Sequence, residues 1–200
     1  MSSDTGVSLV LRALDFAARR HTRQRRKGGE KAPYINHPIR VAHYLGTLAG
    51  IEDPHILAAA LLHDTVEDTE ATLEELRNEF GAEVAEIVAE VTDDKSLEKQ
   101  TRKELQVQHA AEASWAAAQL KIADKLCNVE DIATAPPPNW SRDRLIEYLT
   151  WSERVVGQLP NPHPALIEAY RRALAEARAR LWADSSESDA AESDSPEASR

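Results

Sequence analysis

A single cysteine, Cys127, in 200 residues excludes a disulfide scaffold and leaves no thiolate cluster for a structural zinc. No stretch approaches the roughly 20 apolar residues that a membrane helix requires. The N-terminus also lacks the basic, apolar and small-residue succession of a secretion signal. A soluble, cytoplasmic chain with no membrane partner is therefore expected. Positive charge is in deficit: 24 Lys and Arg face 34 Asp and Glu, for a net charge of −10. Such a balance disfavours a nucleic-acid polymer as partner, because its phosphate track calls for an extended basic face. Alternating β-branched runs are missing too, and with them the signature of strands.

What is present is helix. Apolar residues recur at three- and four-residue intervals and Ala is abundant, so the chain reads as an all-α, irregular multi-helix bundle over residues 1–183. Helices are expected at about 7–23, 38–50, 54–68, 73–81, 82–92, 98–112, 115–131, 141–158 and 164–182. Thr72 with Glu75 forms a capping-box signature before the fourth, and Pro136, Pro137 and Pro138 separate two of the later ones. From Asp184 to Arg200 the sequence holds six acids, one base and no large apolar residue, and is expected to be a disordered acidic tail. That tail carries half of the net charge.

Polar residues inside apolar helices are the informative ones, since burial costs free energy unless they are paired or bind a metal. In AAALLHDTVED, His63 and Asp64 follow an apolar run, with Glu67 and Asp68 one turn on; along one helix His63 would face Glu67 and Asp64 would face Asp68. In LKIADKLCN, Asp124 is embedded in a second apolar helix with Asn128 a turn later. His37, in PYINHP, opens a third. Two imidazoles and two carboxylates form a mixed N/O set suited to Mn²⁺, Fe²⁺ or Zn²⁺. Glu67 and Asp68 are then placed to orient or deprotonate an attacking water. The bland alternative is a solvated helix end with satisfied core histidines. His43, His55, His109 and His163 read as structural or surface residues, and Cys127 as an inert buried thiol.

Seven bases crowd RRHTRQRRKGGEK. Arg19, Arg20 and Arg23 complement the dipole at the end of the first helix. Arg25, Arg26 and Lys27 lie beyond it on a Gly-Gly loop leading to Tyr34 and His37, where they suit a phosphorylated substrate.

RRKGGEKAPYINHP, AALLHDTVEDT, EVTDDKS and LKIADKLCN, in that order, resemble the HD-superfamily hydrolase domain of Rel/Spo proteins, in the small alarmone hydrolase form of the metazoan SpoT-homologue type. The resemblance runs from about Leu14 to Tyr148. It implies a Mn²⁺-dependent hydrolase that removes the 3′-pyrophosphate of guanosine 3′,5′-bis(diphosphate), ppGpp, or of its pentaphosphate relative, leaving GDP or GTP. It implies one divalent ion held by His37, His63, Asp64 and Asp124, with Glu67 and Asp68 as the catalytic acids. Arg26 would stack on guanine with Lys27 beside it, Asn128 would contact the ribose, Lys99 and Arg144 would face phosphates, and Tyr34 would shape the pocket. The loop reads GGEK before its Pro-Tyr pair, and Glu104 and Gln106 stand in a helix that otherwise leans basic. With nothing after the module, synthetase activity is not expected. An alternative keeps the site and changes the substrate, to the 2′-phosphate of NADPH or to other nucleotides. A non-catalytic helical module is disfavoured because all six acid and imidazole positions are intact.

Overall fold

The computed structural model describes the backbone of residues 5–193 and the side chains of residues 5–183. Among these the chain forms ten α-helices and no strand: α1 (Gly6–Arg20), α2 (Asn36–Thr47), α3 (Pro54–Leu62), α4 (Thr65–Asp68), α5 (Leu73–Phe80), α6 (Ala82–Val91), α7 (Lys99–His109), α8 (Trp115–Thr134), α9 (Arg142–Gln158) and α10 (Pro164–Ser193), with a short 3-10 turn (Ala110–Glu112) after α7. None is long and apolar enough to cross a membrane.

Local chemistry sets the boundaries. The side-chain oxygens of Thr5, Thr72, Ser114 and Ser141 accept from the backbone amides of Ser8, Glu75, Ala117 and Arg144, capping α1, α5, α8 and α9. Gly81, at φ 94°, turns α5 into α6 in a conformation that favours glycine.

α3 and α8 form the centre. α3 is apolar all round, with Ile56, Leu61, Leu62 and a run of three alanines buried, and it packs against α1, α2 and α6. α8 runs through the molecule against α2, α6, α9 and α10. The buried Gln119 amide ties α8 to the start of α10: it donates to the carbonyls of Trp115 and Asn161 and accepts from the His163 amide. Such a fully satisfied amide can be buried at little cost.

Two expectations change. The helix expected over 54–68 is broken at His63 and Asp64. The break arises from side-chain competition: Thr65 Oγ1 donates to the Leu62 carbonyl at 2.6 Å, and His63 Nδ1 lies 2.8 Å from the Ala60 carbonyl, so α3 ends without Gly or Pro. The pairings of His63 with Glu67 and Asp64 with Asp68 along a continuous helix are therefore replaced by others, described below. The second change concerns α10, whose backbone continues through Ser193, past the expected start of a disordered tail at Asp184. Ala and Glu favour helix in this stretch; residues 194–200 lie outside the described residues. Leu181 is the last buried side chain among the described residues; deletion of residues 184–200 is expected to leave steady-state turnover unchanged, and a large fall in rate would assign the tail a role in catalysis or assembly.

Candidate active site

Three helix segments bring the expected metal-binding side chains together. His37 stands in the first turn of α2, His63 at the end of α3 and Asp124 midway along α8. His37 Nε2 is 3.1 Å from Asp124 Oδ1, and His63 Nε2 is 3.9 Å from the same oxygen. One ligand atom from each lies within 4.8 Å of the others, close enough to share one cation. Asp64 stands beside this trio, its Oδ2 3.1 Å from His63 Nε2 and 3.6 Å from His37 Nε2, while also accepting from the Tyr34 hydroxyl at 2.6 Å.

Electrostatics support the same grouping. Burial pulls the His37 imidazole below its ordinary value. It acts likewise on His63, but Asp64 and Asp124 outweigh it and hold that imidazole at about 9. Burial would raise both carboxyls. Instead His63 holds Asp64 well below the usual range, while Lys125 and then His37 do so for Asp124. His63 Nε2 is buried without a hydrogen-bond partner among the described residues and faces the carboxylates. An unsatisfied imidazole nitrogen beside two ionised carboxylates fits a divalent cation, and the N/O donor set suits the borderline transition metals.

Each ligand has support. Lys125, buried beneath the cluster, reaches Asp124 Oδ2 at 3.0 Å and lies 4.7 Å from the centre of the Trp151 ring. Asn128 donates to Asp124 Oδ1 at 2.6 Å, and its own oxygen accepts from Arg26 at 2.8 Å. Arg26 is also fixed by Asp131, at 2.6 and 3.2 Å, and Asp131 in turn pairs with Arg40. His21 is buried against the Tyr34 ring, 4.9 Å between centroids, and so supports the residue that touches Asp64.

The site opens into three adjoining cavities. A central pocket of about 160 Å³ holds the cluster, with Tyr34, Glu67 and Asn128 in its wall. A cavity of about 260 Å³ on one side is lined by Arg26, Lys27, Tyr34, Asp68, Asn128 and Trp140. There the 25–33 loop folds back, Arg26 N donating to the Ala32 carbonyl, and Gly28 permits close approach: a Cβ would stand 3.1 Å from the Ala135 carbonyl oxygen. A third cavity, about 290 Å³, contains Lys27, Glu67, Lys99, Lys103 and Arg144, with Arg144 stacked 4.3 Å from the Trp140 ring. All twelve residues expected at the site thus line one of three contiguous spaces.

The two acids separate. Glu67 faces the central pocket, and burial, then Asp93 and Asp64, push its carboxyl upward. Asp68 borders the nucleoside cavity, 2.9 Å from Gln24 Nε2 and 2.5 Å from Lys95 Nζ, an ammonium that also stands 3.8 Å from Glu67. Arg25 turns back to the carbonyls of Thr22 and Gln24 at the edge of the second cavity. Cys127 is buried, its thiol pushed up to about 12 by burial, consistent with an inert role. Asp93, Gln106 and Lys121 also face the central pocket. None of the three is assigned to the site from sequence, although Gln106 stands out in its basic-leaning helix and Asp93 lies within EVTDDKS; the Asp93 amide stands 3.4 Å from Glu67.

Comparison with known proteins adds to this geometry. Residues 13–148 match the HD domain family. The chain is 52% identical over 156 residues to guanosine-3′,5′-bis(diphosphate) 3′-pyrophosphohydrolase MESH1 of Xenopus tropicalis, covering 78% of this chain and 86% of the relative. It is 51% identical over 162 residues to the Homo sapiens protein of the same name, covering 81% and 90%. A solved structure described as a metazoan orthologue of SpoT that hydrolyses ppGpp and plays a role in starvation responses superposes with a TM-score of 0.82 at 41% identity, over 84% of this chain and 95% of that one.

Proposed function

The chain belongs to the HD domain family, and we propose that it is a Mn²⁺-dependent guanosine-3′,5′-bis(diphosphate) 3′-pyrophosphohydrolase, acting on ppGpp and its pentaphosphate relative. One observation carries the reading. The His37, His63 and Asp124 cluster stands where a cavity of nucleoside size meets one lined by cations, so a single ligand can place a base, a sugar phosphate and a polyphosphate at the same time.

The reaction adds water across the bond between the ribose 3′-oxygen and the adjacent phosphorus. The water oxygen bonds to phosphorus, the 3′-oxygen takes a proton, and pyrophosphate leaves GDP or GTP behind. His37, His63 and Asp124, with Asp64 beside them, would hold the divalent cation, which supplies Lewis acidity toward phosphate oxygens and acidifies water.

The protein's own groups do the rest. Arg26, pinned by Asp131 and Asn128, presents its guanidinium to the base, where a planar cation stacks well. Asn128 bridges Arg26 and Asp124 at the position a ribose would take. Lys27, Lys99 and Arg144 offset the charge of the 5′-phosphates. Glu67, whose carboxyl is shifted upward, holds or accepts a proton next to the attacking water; Asp68 acts from the nucleoside side. Phosphoryl chemistry rests mainly on positioning and charge neutralisation, and the arrangement supplies both.

The test is a parallel assay on ppGpp, its pentaphosphate relative and NADPH with Mn²⁺, Zn²⁺, Fe²⁺ or Mg²⁺. The expected result is pyrophosphate with GDP or GTP, highest with Mn²⁺. Orthophosphate release from NADPH at an equal or greater kcat/KM would displace the alarmone as primary substrate.

A further inference from the structure

Arg102, on α7, is a guanidinium with five donors whose one ion pair among the described residues is a long one, to Glu67. Its side chain is 23% exposed, its Nε is buried without a partner, and its nearest acid, Glu67, stands 3.8 Å away, beyond hydrogen-bond range. Lys121, half-buried on α8, likewise donates no side-chain hydrogen bond and forms no ion pair among the described residues. A guanidinium held by one long ion pair and an ammonium with none, both largely withdrawn from water, are costly unless something anionic completes them.

Their position identifies the missing group. Asp93 and Gln106, joined by a 2.5 Å hydrogen bond, form a junction that borders the central pocket, the cation-lined cavity and a further cavity of about 420 Å³. Arg102 and Lys121 both reach that larger cavity; Lys121 also borders the central pocket, and Arg102 the cation-lined one. They therefore lie near the metal cluster on the side of α7, away from Arg26 and the nucleoside cavity. A phosphate attached to the ribose 3′-oxygen reaches the cluster. The next phosphate along must project past it.

We propose that Arg102 and Lys121 form a subsite for the terminal phosphate of the 3′-diphosphate, holding the departing pyrophosphate by the end remote from the attacked phosphorus. This rests on the activity proposed above and assigns these two residues a substrate-binding role distinct from that of Lys27, Lys99 and Arg144. Glu90, Asp93, Asp94 and Glu112 also line the larger cavity, so retention there is weak once the bond is cleaved, and the product can leave.

The test compares two ligands that differ only in that phosphate. Initial rates on guanosine 3′,5′-bis(diphosphate) are measured with guanosine 5′-diphosphate 3′-monophosphate as competitor, for the wild-type chain and for Arg102→Ala, Arg102→Lys and Lys121→Met. In Arg102→Ala, kcat/KM for the tetraphosphate is expected to fall roughly 10- to 100-fold while the inhibition constant of the monophosphate stays within about threefold of wild type, a difference matching loss of charged hydrogen bonds to one phosphate. Lys121→Met should act in the same direction, and Arg102→Lys should restore part of the loss. Unchanged competitor binding shows in the same experiment that the variants are folded. An equal loss on both ligands would place Arg102 on the 5′-phosphates or behind Glu67 and overturn the subsite, as would no loss on either. Failure of the wild-type chain to hydrolyse the tetraphosphate would instead defeat the proposed activity itself.

Discussion

Replacement of Asp124 by alanine is expected to abolish bound metal and turnover together and to weaken the fold as well. Asp124 lies between two sets of charges. Toward the pocket its Oδ1 meets His37 Nε2 at 3.1 Å; on the other side its Oδ2 takes the Lys125 ammonium at 3.0 Å. Removing the carboxylate deletes a ligand and also strands a buried cation, since the Lys125 side chain is only 8% exposed. Loss of one partner from a buried pair costs about 3–5 kcal/mol. The contact with Trp151 recovers little of that, about 0.5–2 kcal/mol. Asp64→Ala is the companion experiment. It too should lose metal and activity, but Asp64 supports no buried lysine, so its melting temperature should remain nearer to wild type. Elemental analysis and thermal denaturation of both variants decide the matter. Full metal content and normal turnover in either would refute the assignment, and equal melting temperatures would show that Lys125 does not depend on Asp124.

Substitution of Glu67 and Asp68 together by their amides should leave the metal in place and reduce kcat by roughly 10²- to 10⁴-fold, the usual contribution of a positioned acid or base. The geometry also ranks the single variants. Glu67 borders the central pocket, where burial and then Asp93 push its carboxyl upward, and Asp68 borders the nucleoside cavity. Glu67→Gln should therefore account for most of the loss in kcat, whereas Asp68→Asn should act more on KM. Loss of metal from the double variant would make these acids ligands, and a larger kcat effect at Asp68 would reverse their roles.

The candidate ligands could be read from the sequence because each interrupts an apolar run: His63 and Asp64 follow AAALL, and Asp124 follows LKIA. Burying such residues demands a reason, and the reason proved to be one another's company. The break between α3 and α4 could not be read, because AALLHDTVED contains no glycine or proline and its apolar spacing continues; the interruption comes from the Thr65 hydroxyl and the His63 ring competing for backbone carbonyls. Arg102 was hidden for a different reason. α7 buries no residue, so each of its charges reads as a solvated one until α9 is seen packed against it. The backbone of α10 outruns its apolar pattern because helix propensity persists in the Ala- and Glu-containing stretch that follows Leu181.

α8 carries Asp124, Asn128 and Asp131 on one face, within two turns. Seven residues at about 1.5 Å each separate the first from the last by roughly 10 Å along the axis. In the proposed function Asp124 holds the cation and Asp131 anchors the Arg26 that meets the base, so one rigid rod would set the span between the reacting end of a nucleotide and its base. The 21–35 loop supplies Arg26 but does not set that span. On that reading the calibration of substrate length would reside in a helix and not in the loop.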